Sequence, residues 1–164
     1  MRRDDSSQKC PVNLELQQRL KNANIDGDGN RALRYRFAYA CANRVRYQLE
    51  DARAIALLDV LQAYVEGRSD DDARSASAEE AAALANHHRG SQSIDGTGHS
   101  AVSATYAVAA ALAGKVQDAA EYAAYSAVYG YGGYAVSDPD AFAPEYAWQV
   151  NALESLMATQ STEH

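Results

Sequence analysis

Residues 98–113 read GHSAVSATYAVAAALA and carry no charged side chain from Ser100 onward. Wound as a helix, this stretch has no polar side, and a helix that lacks a polar face is buried. It is too short and too rich in Ala, Ser and Thr to span a bilayer, so its surroundings are protein and not lipid. We therefore predict that it is the central helix of a soluble bundle.

A second helix is predicted directly after the first. Gly114 ends the central helix, and a new helical pattern begins at Lys115 and runs to about Tyr129. One face of this pattern carries only small or β-branched apolar side chains, which lets two backbones approach closely: Val116, Ala119, Ala120, Ala123 and Ala127. The two helices are expected to form an antiparallel hairpin.

Helical periodicity recurs along the rest of the chain, and no sustained β alternation interrupts it. Further helices are expected at about 12–23, 31–49, 51–65, 69–88 and 144–159, with Asp51 and Ser69 as N-caps and Gly67 as the end of the helix at 51–65. The sequence predicts an all-α, single-domain bundle of about six to seven helices around the Ala-rich hairpin. Residues 1–11 are expected to be a polar N-terminal tail and residues 12–160 the helical domain.

Composition points to a cytoplasmic protein. The chain has 164 residues, of which 47% are hydrophobic, and this is enough for one domain with its own core. Its two cysteines, Cys10 and Cys41, are too few for a disulfide framework and favour a reducing compartment. The first nine residues, MRRDDSSQK, lack the apolar run of a signal peptide. No membrane association is predicted.

The net charge of −7 is unevenly distributed. Residues 1–115 hold all 15 Lys and Arg, whereas residues 116–164 hold seven acidic residues and no Lys or Arg. An acidic third of this kind disfavours nucleic acid and favours a basic protein partner. The alternative is a solvated acidic surface that maintains solubility.

A row of tyrosines lies in this acidic third. Asp118, Tyr122, Tyr125 and Tyr129 fall within about 60° of one another on a helix, opposite the small-residue face. The Gly-rich segment that follows adds Tyr131 and Tyr134. These tyrosines are expected to point away from the hairpin partner, where they either pack under another helix or form an exposed patch typical of protein interfaces.

Motifs for catalysis are not found. There is no Gly-x-Ser-x-Gly, P-loop or His-Glu-x-x-His sequence, and we predict no catalytic residue, metal or cofactor. An inward Arg44 is expected on the apolar face of its helix, where a structural ion pair is favoured over a ligand contact. The alternative is a small-molecule or metal-dependent enzyme whose internal pocket is formed by Arg44, Arg53, His88 and His99.

The order of segments resembles the fifth family of immunity proteins from bacterial polymorphic-toxin systems. The resemblance spans residues 31–134 and is carried by an Ala-rich helix at 73–85 and by RYRFAYACANRV at 34–45, DARAI at 51–55, GHSAVSATY at 98–106 and AAEYAAYSA at 119–127. It implies an all-helical protein that binds and neutralises a co-encoded toxin in fixed stoichiometry, and not an enzyme.

The resemblance and the charge pattern together predict a cognate, basic toxin as partner and no nucleic acid. The expected partner-binding residues are Asp118, Tyr122, Tyr125, Tyr129, Tyr131 and Tyr134. Tyrosines of this kind can also mediate self-association, so both a monomer and a homodimer are compatible with the sequence.

Overall fold

The uncharged stretch forms most of one α-helix in the computed structural model. The structure describes residues 12–89, 96–131, 135 and 138–162, and these residues contain seven α-helices. The helices are α1 (Leu14–Asn22), α2 (Arg31–Arg44), α3 (Ala52–Val65), α4 (Asp71–Arg89), α5 (Gly96–Leu112), α6 (Val116–Tyr129) and α7 (Ala143–Thr162). No strand occurs within the described ranges. The predicted all-α bundle around an α5–α6 hairpin is confirmed.

The small residues of α5 and α6 bring the two helices close together. Ala104, Ala107 and Ala111 of α5 are fully buried, as are Ala119 and Ala120 of α6. Across this interface the Ser126 hydroxyl donates a hydrogen bond of 2.7 Å to the backbone carbonyl of Ser100. Such a short side chain reaches the opposite backbone only because no larger residue separates the helices.

One hydrophobic core contains residues from all seven helices. Its largest fully buried side chains include Phe37, Leu58 and Leu112, and Leu16 and Leu153 bring α1 and α7 into the same cluster. A smaller cluster around Phe142 covers the C-terminal end of α6. No helix within the described residues is long and apolar enough to cross a membrane.

Helix ends follow the local sequence closely. Gly114, with φ of +76°, ends α5: its N–H donates to Ala111 O and the Lys115 N–H donates to Ala110 O. Gly67 ends α3 in the same way. This double hydrogen bond satisfies carbonyls in the last turn, and its left-handed residue favours glycine. The predicted ends at Gly67 and Gly114 are therefore confirmed.

Two predicted helix boundaries are wrong. Helix α2 ends at Arg44 and not at Leu49, because the chain tightens into a 3₁₀ turn at Arg46–Gln48 that places Leu49 in the core. The N-terminal cap of α4 is Asp70 and not Ser69, since the Asp70 carboxylate accepts the Ala73 N–H at 2.8 Å. Asp51 caps α3 as predicted, by accepting the Arg53 N–H.

Arg74 connects three helices through a buried guanidinium, a feature that the sequence did not indicate. Its side chain lies over the Tyr35 ring of α2, 4.9 Å from the centroid. Its Nη1 donates to the Leu112 carbonyl at 2.6 Å, and its Nε donates to Asp71 at 2.8 Å. A cation at the C-terminal end of α5 satisfies an unpaired carbonyl and stabilises the helix dipole.

Candidate functional site

The acidic residues of the C-terminal third have two different environments. Glu145 and Glu154 form ion pairs with Arg44 and Arg19. Asp118 and Glu121 on α6 have no ion-pair partner within the described part of the chain. Burial raises the pKa of Glu121, with repulsion from Asp118 adding to the shift and a hydrogen bond from Gln117 opposing it. Uncompensated negative charge therefore lies on α6, beside the predicted tyrosines, and also at Asp138 and Asp140, which have no ion-pair partner among the described residues.

Tyr122 is exposed and stacks on Tyr106 of α5. The ring centroids are 5.1 Å apart and the planes differ by 22°, and 39% of Tyr122 is accessible to solvent. The expectation that the tyrosines point away from the hairpin partner is wrong for Tyr122. A tyrosine side chain is long enough to reach sideways over the small residues of α5 and to contact the ring at the same distance from the turn at Gly114.

Tyr125 and Tyr129 are half-buried. Their rings lie 5.2 Å apart, and Tyr125 packs against the cluster that contains Phe142. Both alternatives for the row of tyrosines are therefore realised on one helix, since Tyr122 is exposed and Tyr125 is partly covered by a neighbouring element. Tyr131, just beyond α6, is 62% exposed. Tyr134 lies outside the described residues.

We call Asp118, Tyr122, Tyr125, Tyr129 and Tyr131 the α6 surface. Beside it, a shallow groove of about 210 Å³ runs between α4, α5 and α6. Most of its lining is alanine, including Ala82, Ala109 and Ala113, and Tyr106, Tyr122, Asp118 and Lys115 also line it. Aromatic rings next to a groove of small side chains provide a concave, partly apolar contact area of the kind found in protein interfaces.

Arg44 forms a fixed structural pair, as the sequence favoured. Its Nε donates to Glu145 Oε1 at 2.7 Å and its Nη2 donates to Oε2 at 3.2 Å. The guanidinium also lies over the Trp148 ring, 4.4 Å from the centroid. The hydrogen bonds that Arg44 donates to Glu145 raise the pKa of Arg44. Neither partner could be identified from the sequence, because each is about a hundred residues away along the chain.

The four residues of the alternative pocket are not brought together as far as the structure describes them. Arg53 pairs with Glu80 of α4 at 2.6 Å and is largely exposed, whereas Arg44 pairs with α7. The side chains of His88 and His99 lie outside the described residues. Within the described ranges, no group of three or more His, Cys, Asp or Glu side chains is placed to hold a metal ion.

Cys41 is fully buried on the apolar face of α2. Burial raises the pKa of its thiol well above the ordinary range, and the Arg44 charge opposes this shift. The thiolate is the reactive form of cysteine, so a thiol that stays protonated in an apolar core is a packing residue.

Tyr106 is a member of this site that the sequence analysis missed. The signal was present, because Tyr106 and Tyr122 are equally far from Gly114, and residues equidistant from the turn of an antiparallel hairpin lie opposite one another.

Comparisons with protein-family models, with curated proteins and with solved structures found no match for this chain.

Proposed function

We propose that this protein is an immunity protein that binds a co-encoded bacterial toxin and neutralises it in fixed stoichiometry. The observation that carries the proposal is the α6 surface, where exposed aromatic rings lie next to unpaired carboxylates. The resemblance of residues 31–134 to the immunity family supports the same function. Binding by such a surface requires no catalytic group.

The two kinds of residue have separate roles in this proposal. Asp118 and Glu121 attract a basic toxin over distance, which increases the association rate and makes it sensitive to salt. Tyr122 and Tyr131 then supply contact area, since tyrosine combines a large apolar ring with a hydroxyl that can hydrogen-bond. The stack on Tyr106 holds the Tyr122 ring in place before binding, which reduces the entropy lost on association.

The test is a protection assay in a sensitive bacterium that expresses the neighbouring toxin-like reading frame. Co-expression of this protein is expected to restore growth, and the two proteins are expected to co-purify in a fixed ratio. Light scattering on the purified complex and on the free protein gives the stoichiometry and shows whether this protein is a monomer or a homodimer. Continued killing by a demonstrably toxic neighbour, with this protein folded and abundant, would contradict the proposal.

The α6 surface is tested by Tyr122→Ala. We expect toxin affinity to fall by at least about 30-fold, corresponding to about 2 kcal/mol, which is the loss typical of a central aromatic residue in an interface. Met157→Ala is the matched control, because Met157 is exposed to a similar extent, 36%, but lies near the end of α7 beside residues of α1. Both variants are measured by calorimetry after circular dichroism has verified their helicity. Equal affinities for the two variants would exclude Tyr122 from the interface.

A further inference from the structure

A second concave surface lies on another part of the molecule, between α2, α7 and the C-terminal end of α3. It is an open groove of about 770 Å³, within the range of small-molecule sites. Helix α2 contributes Arg36, Tyr39, Asn43 and Arg44, which fall on one helical face, and α7 contributes Trp148 and Leu156. None of these residues belongs to the α6 surface.

The groove carries a positive charge that no described residue neutralises. Arg36 is half-buried, yet it makes no hydrogen bond or ion pair with any described residue. Seven other arginines of the chain pair with carboxylates, so the unpaired state of Arg36 is unusual here. Glu66 also lines the groove, but its carboxylate accepts hydrogen bonds from Arg68 and Gln62. A guanidinium in a concave site favours an anion with carboxylate or phosphate geometry.

Arg44 provides a second donor in the lining of the same groove, about two helical turns further along α2. The pair with Glu145 uses Nε and Nη2, which leaves Nη1 without a hydrogen-bond partner in the described part of the chain. About a third of the Arg44 side chain, 34%, is exposed, and it lies in the lining of the groove. Glu145 and Trp148 hold the guanidinium in one orientation, so little side-chain entropy is lost when a ligand binds.

Apolar and aromatic side chains form the remaining walls. Tyr39 is half-buried on α2, and Trp148 and Leu156 face it from α7. A ligand with only a charge would leave these surfaces in contact with water, whereas one with only a ring would leave Arg36 unpaired. The arrangement therefore suits a molecule that has both.

We infer that the groove binds a small aromatic carboxylate, whose anion pairs with Arg36 and Nη1 of Arg44 and whose ring packs between Tyr39, Trp148 and Leu156. The residues that line this groove are not members of the α6 surface, although Tyr131 of that surface lies within electrostatic range of Arg44. The inference does not rest on the proposed immunity function.

The chain has a single tryptophan, Trp148, so intrinsic fluorescence reports directly on the groove. The probe is hydrocinnamate, which has a ring and a carboxylate, compared with hydrocinnamyl alcohol, which lacks the charge, and propionate, which lacks the ring. We expect saturable changes in Trp148 emission with hydrocinnamate and at least about ten-fold weaker binding of the other two compounds. Calorimetry on the same samples verifies the affinities.

Arg36→Gln is the decisive variant, and Arg53→Gln is its control on the exposed surface outside the groove. Because Arg36 has no partner within the described residues, its replacement is expected to leave the fold intact, as circular dichroism would verify. R36Q should weaken hydrocinnamate binding by about ten-fold and reduce the preference over the alcohol, while R53Q should bind like the wild type. Absence of saturable binding to the wild type, or unchanged binding by R36Q, would overturn the inference.

Discussion

Contacts with individual side chains stabilise the partly buried charges of this bundle. Arg74 and Arg44 are both drawn out of bulk water, and each is held by a carboxylate together with an aromatic ring. A partly buried guanidinium is expensive unless it is hydrogen-bonded, and these partners satisfy it. Loss of the carboxylate that pairs with either arginine is therefore expected to destabilise the protein more than the solvent exposure of that carboxylate alone would indicate.

The ionisation of Asp71 makes the stability of the protein depend on pH. It accepts hydrogen bonds from Arg74, Arg31 and Tyr64, and the Arg74 hydrogen bond is the main cause that lowers its pKa from 3.8 to about 2. A carboxyl group whose pKa is lowered on folding stabilises the protein fully above its unfolded pKa and loses that effect as the pH falls toward its folded pKa. We therefore expect Asp71→Asn to be less stable than the wild type above pH 3.8, with the difference shrinking toward pH 2.

The measurement is a series of urea titrations followed by circular dichroism across that pH range. Asp72→Asn is the matched control, since Asp72 lies in the same first turn of α4 and is exposed. If the difference between D71N and the wild type stayed constant with pH, ionisation of Asp71 would not be the source of its effect.

At the scale of the element, the turn between α5 and α6 depends on Gly114. Its φ of +76° is unfavourable for a residue with a Cβ, and a Cβ at this position would lie 2.8 Å from the Tyr35 hydroxyl oxygen. Gly67 has a similar φ of +80° at the end of α3, but a Cβ there would have no heavy atom within 4 Å. Substitutions at these two glycines therefore separate the free-energy cost of backbone strain from that of steric contact.

We expect Gly67→Ala to destabilise the protein by about 1 kcal/mol, the cost of a left-handed alanine. Gly114→Ala should cost about 2–3 kcal/mol, because Tyr35 must also move away from the position where it packs against Arg74. Chemical denaturation of both variants gives the two free energies of unfolding. Equal losses would mean that Tyr35 adjusts without cost and that only the backbone conformation matters.

At the scale of the whole molecule, one core joins all seven helices. We expect a single cooperative unfolding transition, because no helix has a separate core large enough to remain folded alone. Trp148 fluorescence reports on α7, and far-UV circular dichroism reports on all helices, so their denaturation curves should coincide. An earlier fluorescence transition would show that α7 detaches first.

The distribution of charge is also a property of the whole molecule. The absence of Lys and Arg after residue 115 leaves the acids of α6, which lie next to tyrosines, without an ion-pair partner among the described residues. Arg36, which also has no described partner, lies on α2 in the other groove. Two surfaces of different chemistry on one small bundle are consistent with two separate ligands, a basic protein at the α6 surface and a small anion at the α2 groove. The experiment for each of these two sites is independent of the experiment for the other.

Local features were determined by the sequence itself. The uncharged stretch predicted the buried helix α5, Gly67 and Gly114 predicted helix ends, and the small residues of α6 predicted the close hairpin. These features depend on residues within a few turns of one another, so periodicity and capping are sufficient to find them.

The tertiary structure alone decided which side chains meet. The partners of Arg44 and Arg74 come from other helices, and a helical pattern shows which face is buried but not what covers it. The row of tyrosines was visible in the sequence, whereas its division into exposed Tyr122 and partly covered Tyr125 depended on the placement of the segment around Phe142. Contacts between distant segments are set by how the whole core packs, and local propensity contains no information about that packing.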